Sequence, residues 1–137
     1  MKKKNVMSSA STLILAPEIQ GEEMRKKRTK ATDFKTIDRL TITSRDGGCI
    51  FCKMNYHSED LTEFEKAGFQ IMHYIPRSQG GLGTPQNGAV GCIGHHMMLD
   101  NGNQGRADEM KELFRNYLKS RYPNWNEKNL VYKKYNF

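Results

Sequence analysis

Cys49-Ile50-Phe51-Cys52 and Cys92-Ile93-Gly94-His95 are two pairs of soft metal ligands, separated by a long intervening segment. Zinc favours four tetrahedral ligands drawn from thiolate and imidazole, and an x2 spacing lets both side chains of one tight turn reach the same ion. Together the pairs make a Cys3His set. That set uses all 3 cysteines, an odd number that cannot close into intramolecular disulfides alone. Gly47 and Gly48 before the first pair, and Gly91 and Gly94 around the second, would permit the tight backbone of a metal knuckle. A zinc ion with all four positions filled is structural, so it would join two distant segments and leave catalysis to other residues.

Three polar features lie beside these pairs. His73 ends an apolar run just before Pro76-Arg77-Ser78, Asn87 follows a glycine-rich stretch, and His96 directly follows His95. Consecutive helical residues point about 100° apart, so one histidine serves zinc and the other faces outwards. Asp100 lies four residues after His96 on the same helical face, a spacing that can chelate one divalent cation. Each residue alone has a plainer reading. A histidine beside a strand is usually structural, Asn87-Gly88 fits an ordinary turn, and Asp100 before Asn101-Gly102 can simply end a helix. Their co-occurrence around a zinc set is what points to a reactive site.

Taken in order, Cys49-x2-Cys52, Met72-His73-Tyr74-Ile75-Pro76-Arg77-Ser78-Gln79-Gly80-Gly81, Asn87 and Cys92-x2-His95-His96 resemble the HNH endonuclease family. The chain is similar in particular to small zinc-containing members encoded by phages and prophages. The resemblance spans about residues 45–102 and continues weakly into the C-terminal helix. It implies a small α+β, zinc-stapled ββα-metal (His-Me finger) domain with flanking helices, in which two antiparallel strands and a helix clasp one divalent ion. It also implies a metal-dependent endonuclease that hydrolyses DNA phosphodiester bonds, by nicking or double-strand cutting.

In that resemblance His73 is the general base, a task suited to imidazole because its pKa lies near working pH. His96 is a ligand of a catalytic Mg²⁺ or other divalent cation. Asn87 is a second ligand or the residue that fixes the loop, and Arg77 contacts a phosphate. Many members carry an acidic residue or histidine directly before the base. Here that residue is Met72, a poor donor for a hard ion, which makes Asp100 the candidate for the missing ligand. The same departure supports an alternative: a catalytically degenerate zinc module that binds nucleic acid or a protein partner. The setting implied is the cytoplasm of a bacterial host. DNA is the implied partner, with a homodimer and a phage-encoded protein partner left open.

The elements that must position these residues can be outlined. Asp33 is placed to cap a helix carrying Phe34, Ile37 and Leu40 on one face, and Asp46-Gly47-Gly48 turns the chain into Cys49. Residues 53–67 are acidic and read as mobile. Phe69–Ile75 alternates as a strand with Phe69 and Ile71 on one face; Pro76–Gln86 is a loop; Gly88–Val90 is a second short strand. Cys92–Leu99 reads as a short helix. A last helix over about 106–120 carries Met110, Leu113, Phe114, Tyr117 and Leu118 as one apolar stripe.

The composition suits such a domain. The 137 residues are 36% hydrophobic, which yields a small core of the kind a metal staple stabilises. Residues 31–137 are expected to form the domain and 1–30 a basic, flexible tail. That tail carries a charge of about +5 of the total +7, while 31–126 are neutral. Its run Arg25, Lys26, Lys27 and Arg28 favours contact with phosphate backbones through counterion release. The apolar stretch Leu13–Ala16 is too short for a secretory signal or a membrane span, so a soluble protein without membrane partners is expected.

Overall fold

The computed structural model describes residues 25–133. The lysines at the start and the Leu13–Leu15 piece lie outside them. Helix α1 covers 25–32, and α2 is Thr36–Asp46, α3 Ile50–Lys53 and α4 Glu63–Ala67. Strand β1, Phe69–His73, is followed by a loop with two single-turn 3-10 segments, and then by β2, Gly88–Cys92. Helix α5, Ile93–Asp100, leaves β2 directly, and α6 is Ala107–Arg121. The molecule is a small α+β protein with a two-stranded antiparallel sheet, in register His73↔Gly88, Met72↔Ala89 and Ile71↔Val90.

A strand sends alternate side chains to opposite faces, and here each face has its own core. Met72 and Ala89 join Phe51, Tyr74, Met110, Phe114 and Leu118 in the larger cluster, with α3, α5 and α6 around it. Ile71 and Val90 meet Phe34 and Ile42 on the other face, beneath α2. The apolar stripe of α6 is therefore core, as its spacing indicates: Met110, Phe114 and Leu118 have no exposed surface.

Several local expectations are revised. Asp33 does not cap α2; Lys35 occupies that position without a side-chain bond, and Asp33 pairs with Arg77 instead. Ile37 and Leu40 are 66% and 59% exposed, because α2 is turned to bury Ile42 and Asp46 against β2. Phe69 shares the face of Ile71 but stays mostly exposed. The acidic segment is ordered by α4, where Thr62 and Glu65 form a reciprocal capping box. Gly47 takes the left-handed conformation that ends α2, whereas Gly91 and Gly94 do not. Gly91 and Gly94 are small for a different reason: Met72 and Leu61 press on them.

Arg25–Arg28 lie in α1 rather than in a flexible segment, and α1 is fastened to the β1–β2 loop. The Gly83 amide donates to the Ala31 carbonyl at 3.0 Å, and Thr32 is buried with its hydroxyl bonded to the Arg28 carbonyl. At the opposite end of α2, Asp46 is a buried carboxylate. It accepts bonds from Arg45, the Val90 amide and the Tyr117 hydroxyl, while Arg45 also bonds the carbonyls of Pro85 and Gly88. Burial opposes the Arg45 charge, but Asp46 and Tyr122 more than compensate and raise its pKa. This polar network ties α2, β2 and α6 together, in addition to the apolar contact of Ile42 with Val90.

Candidate metal centre and adjoining cleft

The four zinc candidates converge. Cys49 and Cys52 flank the start of α3, Cys92 caps α5 and His95 lies in its first turn. His95 Nδ1 lies 3.5 Å from the Cys49 and Cys52 sulfurs and 3.2 Å from that of Cys92, and the Cys52 and Cys92 sulfurs are 3.8 Å apart. All four ligand atoms lie within 4.8 Å of one another. Tetrahedral zinc, with bonds of about 2.0–2.3 Å, spaces its ligands about 3.5–3.8 Å apart. The cluster fits that ion.

The donor chemistry agrees. In each knuckle the first sulfur accepts a backbone amide, Cys52 N–H to Cys49 and His95 N–H to Cys92. The other His95 nitrogen, Nε2, meets the Tyr56 carbonyl at 2.6 Å. A proton on Nε2 leaves Nδ1 as the ligand, the usual way a protein sets the tautomer of a metal-bound imidazole. Burial raises the Cys49 thiol pKa, and it pushes Cys52 up to about 12. Burial likewise lowers the pKa of His95. Without a cation, burial favours neutral thiols at Cys49 and Cys52 and a neutral imidazole at His95; a metal is what would make thiolates favourable.

A separate cleft of about 450 Å³ opens where β1 ends beside α5 and α6. His73, Arg77, His96, Asp100 and Lys111 all line it. His73 is the last residue of β1, its ring 4.4 Å from that of Phe34. Its Nε2 is 2.8 Å from the Thr32 carbonyl, so Nε2 carries the proton and Nδ1 is the basic nitrogen. Burial lowers its pKa, partly opposed by the Thr32 carbonyl, which keeps the ring neutral and able to accept a proton.

His96 is held in the same manner. Nδ1 bonds the Gln70 amide oxygen, and Nε2 lies 3.4 Å from an Asp100 carboxylate oxygen. Two donors of one divalent cation can take that kind of separation, and the Gln70 bond leaves Nε2 as the ring nitrogen on the Asp100 side. Met72 offers no donor, since it is wholly buried in the larger core.

Asn87 is placed differently from a ligand. It has no exposed surface, and its amide is spent on the Ile75 amide, the Ile75 carbonyl and the Leu82 carbonyl. Of its two expected roles, this geometry performs only that of fixing the loop. Arg77 is half exposed and pairs with Asp33 at 2.5 Å. Arg28 donates to the carbonyls of Arg77 and Ser78, so its guanidinium braces the loop. Thr32, Gln70 and Lys111 were not among the sequence candidates. A main-chain carbonyl leaves no sequence signal, and a lysine beside the α6 stripe reads as ordinary surface.

Comparison of the chain with protein-family models, with curated proteins and with solved structures gave no match. Among the described residues, no helix is long and apolar enough to cross a membrane.

Proposed function

We propose that the protein is a metal-dependent HNH-type endonuclease that hydrolyses DNA phosphodiester bonds, with β1, β2 and α5 as its ββα-metal unit. The observation that carries this reading is the meeting of His73 with His96 and Asp100 in one cleft, beside but separate from the Cys3His cluster. A base and a chelating pair that share a gap are what metal-assisted hydrolysis requires.

The roles follow from the contacts. His73 accepts the proton of a water molecule at Nδ1, because the Thr32 carbonyl occupies the Nε2 side. The hydroxide so generated attacks phosphorus in line with the 3′ oxygen. His96 and Asp100 would hold the divalent cation, Mg²⁺ or a similar hard ion, which when bound supplies positive charge beside the phosphate. Asn87 keeps the Ile75–Leu82 loop in place, and Arg77 is available to a phosphate in exchange for its half-exposed partner Asp33. Arg25, Lys26 and Lys27 on α1 add sequence-independent attraction to the backbone of the nucleic acid. The Cys3His cluster holds zinc and has no part in the reaction.

The buried Met72 favours a second reading, a zinc module that binds nucleic acid without cutting it. One assay separates the two. Supercoiled plasmid is incubated with the protein in Mg²⁺, Mn²⁺ or EDTA, alongside His73→Ala. The nuclease reading expects metal-dependent nicking that the variant loses by about a hundredfold or more, with zinc content and thermal unfolding unchanged. Equal nicking by both proteins, or none by the wild type with any divalent ion, overturns it.

A further inference from the structure

Lys111 stands out among the charged groups of the molecule. It lies on the second turn of α6, half-buried, and lines the cleft that His73 and His96 share. The ammonium donates to the Tyr74 carbonyl and sits 4.9 Å from the centre of the Tyr74 ring. Among the described residues it forms no ion pair. Glu127 accepts the Tyr74 hydroxyl at 2.8 Å instead, and Asp100 faces His96.

Withdrawing an ammonium from water is costly unless a counter-charge or several acceptors replace the solvent. One carbonyl and one ring face satisfy a single N–H and leave the other donors of the group to the cleft. Burial accordingly lowers the pKa of Lys111, and the carboxylates Glu127 and Asp100, neither of which pairs with it, offset this only in part. Arg77 stands on the loop side of the same cleft. Arg77 keeps its own carboxylate partner, Asp33, and Asp100 is directed at His96, which leaves the Lys111 ammonium as the cation of this cleft without an ion-pair partner among the described residues.

We propose that Lys111 is a catalytic residue whose ammonium contacts an oxygen of the scissile phosphodiester and stabilises the charge that grows there as the hydroxide adds. This rests on the nuclease reading for its reaction, but the anion site itself does not. The Tyr74 carbonyl fixes where the ammonium sits before substrate arrives, so no reorganisation is needed at the moment of reaction. A cation that acts mainly on developing charge affects the rate at saturating DNA more than it affects affinity.

Lys111→Gln tests this, since it retains a donor for the Tyr74 carbonyl and removes the charge; Lys111→Arg restores charge with altered geometry. Nicking is measured at saturating plasmid, duplex affinity by anisotropy on the zinc-loaded protein without added Mg²⁺, and the His73 and His96 ring resonances by NMR during titration with inorganic phosphate. The expected result is nicking reduced about a hundredfold in Lys111→Gln and partly regained in Lys111→Arg. Duplex affinity should fall no more than about threefold, as for loss of a single phosphate contact. Phosphate should shift the ring resonances of the wild type and not those of Lys111→Gln. Wild-type nicking matched by a folded, zinc-loaded Lys111→Gln overturns the proposal and leaves the nuclease reading intact. A Lys111-dependent phosphate response in a wild type that never nicks overturns the nuclease reading and the catalytic role, and leaves an anion-binding site. Absence of both signals removes both.

Discussion

His73 and His96 each have one ring nitrogen committed to a protein acceptor, the Thr32 carbonyl and the Gln70 amide oxygen. Those acceptors give the two imidazoles different tasks. The Nδ1 of His73 is left basic, and the Nε2 of His96 is left for a cation beside Asp100. The pH dependence follows from the environment of His73. Burial lowers its pKa, so the neutral, proton-accepting form persists to lower pH than for a free imidazole. A cation at His96 would act in the same direction. The acid limb of nicking is therefore expected below pH of about 6.5, where an unperturbed histidine titrates. Stability has the same sign: the fold favours neutral His73, so this contribution is complete above about 6.5 and is lost as pH falls through the lowered value. A rate profile measured with zinc content monitored at each pH checks this; a limb above 6.5 would mean that another group is the base.

Among the elements, α1 changes most between sequence and structure. A run of lysines and arginines carries no apolar periodicity, so nothing in it announces a packed helix, yet α1 holds both His73 and the β1–β2 loop. Its attachment is through main chain: Thr32 O to His73, Ala31 O to Gly83 N–H, with Asp33 on Arg77. The approach at Gly83 is close enough that an added Cβ would lie 2.1 Å from the Asp33 carbonyl oxygen. Gly83→Ala must push α1 away from the loop. It is expected to cost about 1–3 kcal/mol in urea unfolding, in the manner of an overpacked contact, and to depress nicking while the zinc stays bound. Unchanged nicking would show that α1 does not position His73.

Other features are legible in the sequence itself. The Cys3His set, the α6 stripe and the shared face of His96 and Asp100 depend on spacing along one chain segment, and spacing is what a sequence displays. The exposed face of α2, the bracing of α1 and the placement of Lys111 depend on which surfaces meet in space. For Asn87 the sequence left two roles open, and its burial decided between them.

At the scale of the whole molecule, the question is what keeps two small cores in one structure. A two-stranded sheet is marginal on its own, and here it separates the Phe51–Phe114 cluster from the much smaller Phe34–Ile42–Val90 cluster. The Cys3His cluster crosses this arrangement, linking the start of α3 to the β2–α5 junction. A structural zinc site contributes about 10–16 kcal/mol of binding free energy, as much as or more than the 5–15 kcal/mol by which domains of this kind are usually stable. Cys52→Ser is the informative variant, because Cys52 is the least buried of the three thiols and its replacement disturbs metal binding more than packing. It is expected to lose zinc and cooperative thermal unfolding together, measured by metal analysis and circular dichroism. A zinc-free variant that melts like the wild type would show that the apolar clusters suffice. The same measurement sharpens the nicking assay, since EDTA can remove either ion: activity that Mg²⁺ alone restores, with zinc retained throughout, assigns catalysis to the His96–Asp100 side of the cleft and architecture to the cysteines.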